Sequence, residues 1–266
     1  MEWNLLDVVL RVVFVFSSAF LITIITVFAI RLARIDIKDF SQRIGVKFMS
    51  IALAGNLSFI FVVFLFMNFV ERKSFLSLGF HFSWFQFSSS LLLFFFTLSL
   101  SLLFVLIRYK GKANFHLSLT AFKRSKTEYP SLLLSFFVLF IAALQEEIMF
   151  RGYLAFAFHE YSMMTAMILS ATIFTVWHFM SNKVSLFQTI DWFICGIVLF
   201  FVYWESHSIW LVVILHYSRN VSNVLIWNIA NNYSFLTFET PPKASDKTIY
   251  TMTWALLTGF FLLIIY

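Results

Sequence analysis

Charge is the scarcest property of this chain. Asp, Glu, Lys and Arg together make up 12% of its 266 residues, about half the ~25% usual in soluble domains. That excludes an ordinary water-soluble fold, because 61% of the residues are hydrophobic and Phe alone occurs 38 times, more apolar side chain than a core of this size can hide. Cysteine occurs once, as Cys195. A disulfide framework or a cysteine-based metal cluster within the chain is therefore ruled out, and Cys195 reads as a small buried residue rather than a nucleophile. Proline (3) and glycine (7) are few, so little interrupts long helices. Segments of alternating polarity, which a β-barrel would need, are missing. So are internal repeats and any polar stretch long enough to form a second domain.

What is present is a series of continuous apolar runs, each about 20 residues long, the length that crosses a ~30 Å hydrocarbon core as a helix. The pattern predicts spans at Leu6–Ile30, Phe48–Val70, Phe85–Ile107, Ser131–Phe158, Met163–Met180, Leu186–Trp204, Ile209–Ala230 and Ile249–Tyr266. The expected fold is all-α: a polytopic membrane bundle of about eight transmembrane helices, in one integral membrane domain over residues 1–266. An amphipathic piece, Phe75–Phe87, is expected along the interface before the third span. Asn231–Lys247, with Pro241-Pro242, is the clearest polar loop. The N-terminus lacks a basic leader and its apolar run is too long for a signal peptide, so cleavage is not expected.

The net charge of +6 points to lipid rather than nucleic acid, because the basic residues fall in loops between apolar spans. One side collects Arg31, Arg34, Lys38, Arg43, Lys47, Arg108, Lys110, Lys112, Lys123, Arg124, Lys126, Lys183, Lys243 and Lys247. The other collects Arg11, Arg72, Lys73 and Arg151. The positive-inside rule then places both termini outside. The abundance of Phe and Lys fits a low-GC bacterium, so a bacterial cell membrane is the expected location.

Ionisable groups inside a membrane are costly and are candidates for function by default. Leu144-Gln-Glu-Glu-Ile-Met-Phe-Arg151 sets two adjacent carboxylates at the end of a long apolar run. Glu147 and Arg151 are four apart and share a helical face. Glu146 lies about 100° away around the helix and points elsewhere. A charged cap at the end of a span is the plainer reading of this pair. His178 closes Phe174-Thr-Val-Trp-His, and a lone histidine near a helix end is ordinarily a packed or interfacial residue. His216 and Asn220 are four apart in a span, where polar groups need a partner or a wet cavity. Arg219 faces away from that pair. Ser218 does too, which argues against a serine protease. A depth relation joins the pieces. Glu146 and His178 are equally spaced about Ser162, and the polar break at His159-Glu160-Tyr161-Ser162 suits a turn. An antiparallel hairpin there puts both side chains roughly 24 Å from the turn, at one level.

Glu146-Glu147-x-x-x-Arg151, Phe174-x-x-x-His178 and His216-x-x-x-Asn220, in this order on successive helices, resemble the motifs of the CAAX protease and bacteriocin-processing (Abi) family of intramembrane proteases. The resemblance covers Ser131–Trp227, within the proposed core helices of residues 131–230. Ser206-His-Ser-Ile-Trp210 matches only loosely the small-residue stretch the family has before its last histidine. Peptide hydrolysis needs an activated water and an oxyanion stabiliser. Glu146 suits the base, His178 can pass a proton to the leaving amine, and His216 with Asn220 offers donors on one face. Glu147 and Arg151 are the supporting pair. The resemblance implies the same roles, without a cofactor. Glu146, His178 and His216 would also suffice as zinc ligands with one open position, although Asn220 serves an oxyanion better than zinc.

The expected partners are the lipid bilayer and a peptide or membrane-protein substrate, lipidated or bacteriocin-like. A second reading is a non-catalytic membrane regulator or bacteriocin-immunity protein that binds another membrane protein. A transporter is disfavoured, because paired inverted repeats with broken helices are missing.

Overall fold

A computed structural model describes residues 5–36, 45–111, 113–115, 129–179, 184–227, 234 and 236–265. The far ends of three predicted spans (Met180, Ala230 and Tyr266), part of the Asn231–Lys247 loop, and Lys38, Arg43, Lys112, Lys123, Arg124, Lys126 and Lys183 lie outside the described residues.

Among the described residues the chain forms eight long helices, all-α in class as expected. They are α1 (Leu5–Leu32), α2 (Val46–Leu65, extended by a π-helical turn Phe66–Val70), α3 (Trp84–Arg108) and α4 (Tyr129–Glu147). Helix α4 continues through a second π-helical turn, Ile148–Tyr153, into Leu154–Ala157. Next come α5 (Met163–His178), α6 (Leu186–Ser206), α7 (Ile209–Leu225) and α8 (Ala244–Ile265). Six are long and apolar enough to cross a membrane. The two that differ from the expected eight are α5, with 16 residues, and α7, with 17. Helix α5 still presents an apolar face, with Met164, Ile168 and Val176 exposed. Helix α7 carries His216, Arg219 and Asn220 in place of lipid-facing apolar residues, and most of its residues are buried.

The order of packing follows from which faces are apolar throughout. Helices α1, α3 and α8 expose large apolar side chains such as Leu10, Phe28, Phe95, Leu103, Leu256 and Leu263, as lipid-facing helices do. Inside them, α7 packs against α3 and α4, α5 against α6, α6 against α8, and α2 against α4. Serine caps start α5, α6 and α7. Ser162, Ser185 and Ser208 accept from the N–H groups of Thr165, Gln188 and Leu211, satisfying donors that helix starts leave orphaned. Gly196 brings α6 onto α5: a Cβ there would stand 2.9 Å from Ala171 Cα.

The expected interfacial piece at Phe75–Phe87 is corrected. Phe75–Leu78 is a 3₁₀ turn capped by Ser74, and Trp84–Phe87 already belong to α3, with non-helical chain between them. Gly79 then turns left-handed at φ 94°, a conformation that favours glycine, and the chain re-enters the bundle. Leu78 is fully buried, Gly79 O accepts from Ile209 N at 3.0 Å, and Tyr203 Oη donates to Leu78 O at 3.2 Å. The amphipathic pattern came from a buried Leu78 beside exposed Leu76, Phe82 and Trp84, not from a helix. At the other end a two-stranded antiparallel ribbon, β1 (Ala113–Phe115) with β2 (Leu236–Phe238), closes the loops with Ala113 opposite Phe238. Beside it, Arg108 and Tyr109 both donate to Asp246. Burial first, and then this hydrogen bond, pushes the Tyr109 hydroxyl up to about 12, so it keeps its proton and its bond at neutral pH.

Candidate active site

The site is built where α4, α5, α6 and α7 meet. The hairpin turn lies where the sequence put it, ending at the Ser162 cap of α5, and it brings Glu146 Oε2 to 3.9 Å from His178 Nε2. Glu146 therefore does not cap the end of a span, because α4 runs on through the π-helical turn to Ala157. In that turn the Leu154 N–H bonds to Met149 O, five residues back. Such turns insert one extra residue into an α-helix and recur at functional sites. All six of its residues are buried, and Gly152 lets Leu78 lie close, with 3.3 Å between a virtual Cβ and Leu78 Cβ.

The two glutamates have different surroundings. Glu147 is fully buried. Its Oε1 accepts from Arg151 Nη1 at 2.9 Å and from His216 Nδ1 at 2.6 Å. Arg151, also fully buried, reaches Gly196 O with Nη2 at 3.3 Å, and its guanidinium lies 4.4 Å from the centre of the Phe174 ring. One buried charge pair thus ties α4 to α6 and α7. Glu146 points into the gap between two imidazoles. Its Oε2 is 3.8 Å from His216 Nε2 and 3.9 Å from His178 Nε2, and it has no hydrogen-bond partner. The Glu146 and His178 side chains are 21% and 22% exposed, against 7% for His216. They form the accessible edge of the site.

Each imidazole is fixed through its other nitrogen. His178 Nδ1 donates to Phe174 O at 2.8 Å, and the ring lies between those of Phe174 and Trp192, with centroids 4.4 and 4.9 Å away. His216 Nδ1 is committed to Glu147. Both histidines therefore present Nε2 toward Glu146. Asn220 is half-buried one turn beyond His216 on α7, and its amide has no hydrogen-bond partner among the described residues.

Sequence reasoning missed three elements. The first is the Glu147–His216 bond, which makes Glu147 a partner of the histidine as well as of Arg151. The second is Trp192, an apolar residue in an apolar span, with nothing to mark it. The third is Asp191, buried in α6. Thr251 Oγ1 donates to Asp191 Oδ1, and Arg219 Nη2 reaches the same oxygen at 3.3 Å and Thr251 Oγ1 at 2.8 Å. The criterion that singled out the glutamates, an ionisable group inside a span, applies equally to Asp191. Arg219 is turned to Asp191 and Thr251 rather than to His216 and Asn220.

The bonds at both Nδ1 atoms are of the kind that orient metal-bound histidines. Even so, no set of three or more His, Cys, Asp or Glu side chains among the described residues is placed to hold a metal ion.

The family model of type II CAAX prenyl endopeptidase Rce1-like proteins matches residues 128–222. No curated protein and no solved structure matches the chain. The matched stretch carries Glu146, Glu147, Arg151, His178, His216 and Asn220. Over residues 128–222 the chain is therefore similar to the type II CAAX prenyl endopeptidases, a family of proteases.

Proposed function

We propose that this protein is an intramembrane endopeptidase that hydrolyses a peptide bond of a lipidated or bacteriocin-like peptide at the membrane of a bacterial cell. Glu146 acts as the base. The observation that carries this reading is the Glu146 Oε2 atom, buried, without a hydrogen-bond partner and 3.8–3.9 Å from two imidazole nitrogens. A buried polar atom without a partner is rare and calls for an explanation. A water in that gap supplies one.

Glu146 takes a proton from the water, and the hydroxide oxygen bonds to the scissile carbonyl carbon. The carbonyl electrons move to the oxygen, which becomes an oxyanion. Its donors are the Asn220 amide and His216 Nε2. Because His216 Nδ1 already donates to Glu147, Nε2 can donate only when the ring carries both protons. Arg151, bonded to the same Glu147 oxygen, holds that carboxylate in place against His216 Nδ1. His178, its Nδ1 held by Phe174 O, uses Nε2 to relay the proton from Glu146 to the leaving amine as the C–N bond breaks. Fixed donors in a water-poor site stabilise developing charge more strongly than donors in water.

The test is purified protein in proteoliposomes with a lipidated reporter peptide. Single changes Glu146→Gln, His178→Ala and His216→Ala are expected to lower turnover by about 10²–10⁴-fold in variants that insert and melt normally. Normal turnover in all three would end the catalytic reading and leave a binding role.

A further inference from the structure

We infer that a cavity beyond the C-terminal end of α4, past the glutamates, is a binding site for a phosphate-bearing anion, supplied by the headgroup of an anionic lipid. The side of the protein that is poor in basic residues carries Arg11, Arg72, Lys73 and Arg151 in the sequence. Arg151 is consumed in the core by Glu147. The other three are not spread around the rim: all line one cavity of about 620 Å³, together with Glu71, His159 and Glu160. His159 is thirteen residues beyond Glu146, roughly 20 Å along the helix, so this cavity is separate from the catalytic gap.

The charges within it are already sorted. Glu71 is buried, with Oε2 taken by Arg11 at 2.7 Å and Oε1 by the Tyr153 hydroxyl at 3.1 Å. Glu160 lies 3.8 Å from His159. Arg72 and Lys73 are left exposed, with no acidic partner among the described residues. The π-helical turn Phe66–Val70, closed by the Glu71 N–H to Phe66 O, ends α2 just before this stretch. Glu71 is turned inward while Arg72 and Lys73 stay at the mouth. Arg72 holds a left-handed backbone at φ 54°. A residue other than glycine rarely does so, and such strain collects at ligand sites. An arginine fork beside a lysine suits phosphate oxygens, and a cavity at the end of membrane-spanning helices is at the level where lipid phosphates lie.

The experiment is native mass spectrometry and thermal melting of the full chain in detergent, with phosphatidylglycerol, phosphatidylcholine or inorganic phosphate added. Wild type is expected to retain phosphatidylglycerol and melt higher with it. The double variant Arg72→Gln/Lys73→Gln is expected to lose retention by about tenfold or more, the scale of one charge-assisted hydrogen bond. A variant with the same charge loss at exposed positions elsewhere, Arg31→Gln/Lys110→Gln, should retain the lipid as wild type does. The melting point of each variant without lipid reports whether it is folded. Equal retention in wild type and the Arg72/Lys73 variant overturns the site. If phosphatidylcholine is held equally well, anion recognition fails. If inorganic phosphate alone matches the protection, the lipid assignment fails and a free-anion site stands in its place.

Discussion

Two charged clusters share α6 and α7 less than two helical turns apart in sequence, and they have opposite characters. Asp191, Arg219 and Thr251 form a set with one acid to one base, in which Arg219 Nη1 alone is left without a hydrogen-bond partner. Asp191 and Arg219 are 4% and 5% exposed, the two charges face each other, and Arg219 is covered by the Trp254 ring at 4.5 Å. The glutamate cluster has one carboxylate more than it can pair. Glu147 is consumed by Arg151 and His216, and Glu146 is left at an accessible edge. Buried ion pairs by themselves are weak evidence of function, since desolvation offsets much of their attraction. Under the proposed function the chemistry rests on the group left over, not on the number of charges.

The sharpest break between the clusters is Glu146→Gln. It should remove nearly all peptide hydrolysis, by about 10²–10⁴-fold, and shift the thermal midpoint little. A large loss of stability would instead place Glu146 with the structural charges. Glu147→Ala comes next. Stranding Arg151 should destabilise the fold by about 3–5 kcal/mol and also lower turnover per folded molecule, because His216 loses its anchor. Asp191→Ala should cost a similar stability, about 3–5 kcal/mol, while turnover per folded molecule falls less than for Glu147→Ala. If Asp191→Ala abolished turnover with an unchanged midpoint, the division between the clusters would be wrong. Gly196→Ala forces a Cβ to within 2.9 Å of Ala171 Cα, and unfolding should report about 1–3 kcal/mol lost to overpacking. The smallest effect is reserved for strong chelator. Turnover should be unchanged, and a loss restored by added zinc would return Glu146, His178 and His216 to the role of ligands.

Much of this was legible because membrane insertion writes itself into composition. A hydrocarbon core demands long apolar runs, and the runs gave all eight helices. The level of Glu146 with His178 was legible too, because hairpin geometry depends only on residue count and a constant rise. Side-chain partners were less accessible. Glu147 and His216 are 69 residues apart, and nothing in either local pattern selects one glutamate over the other for the histidine. Phe75–Phe87 misled because a buried leucine flanked by exposed apolar residues satisfies a helical period without forming a helix. Asp191 was visible in principle as an acid inside a span. Its partners Arg219 and Thr251 lie on two other helices, and only the folded bundle pairs them.

The π-helical turn after Glu147 has an evolutionary consequence. A straight helix in a bundle has one phase: adding or removing a residue anywhere rotates everything beyond it by about 100°. Helix α4 already contains one such shift, confined to Ile148–Tyr153. Its two halves are thus phased separately, one to the histidines and the other to Leu78 and the outer turn. Because the extra residue is absorbed inside that turn, its removal would restore an ordinary helix and leave both halves near their present phases. The turn lets the chain ahead of the outer loop change by one residue while the Glu146 carboxylate keeps its aim.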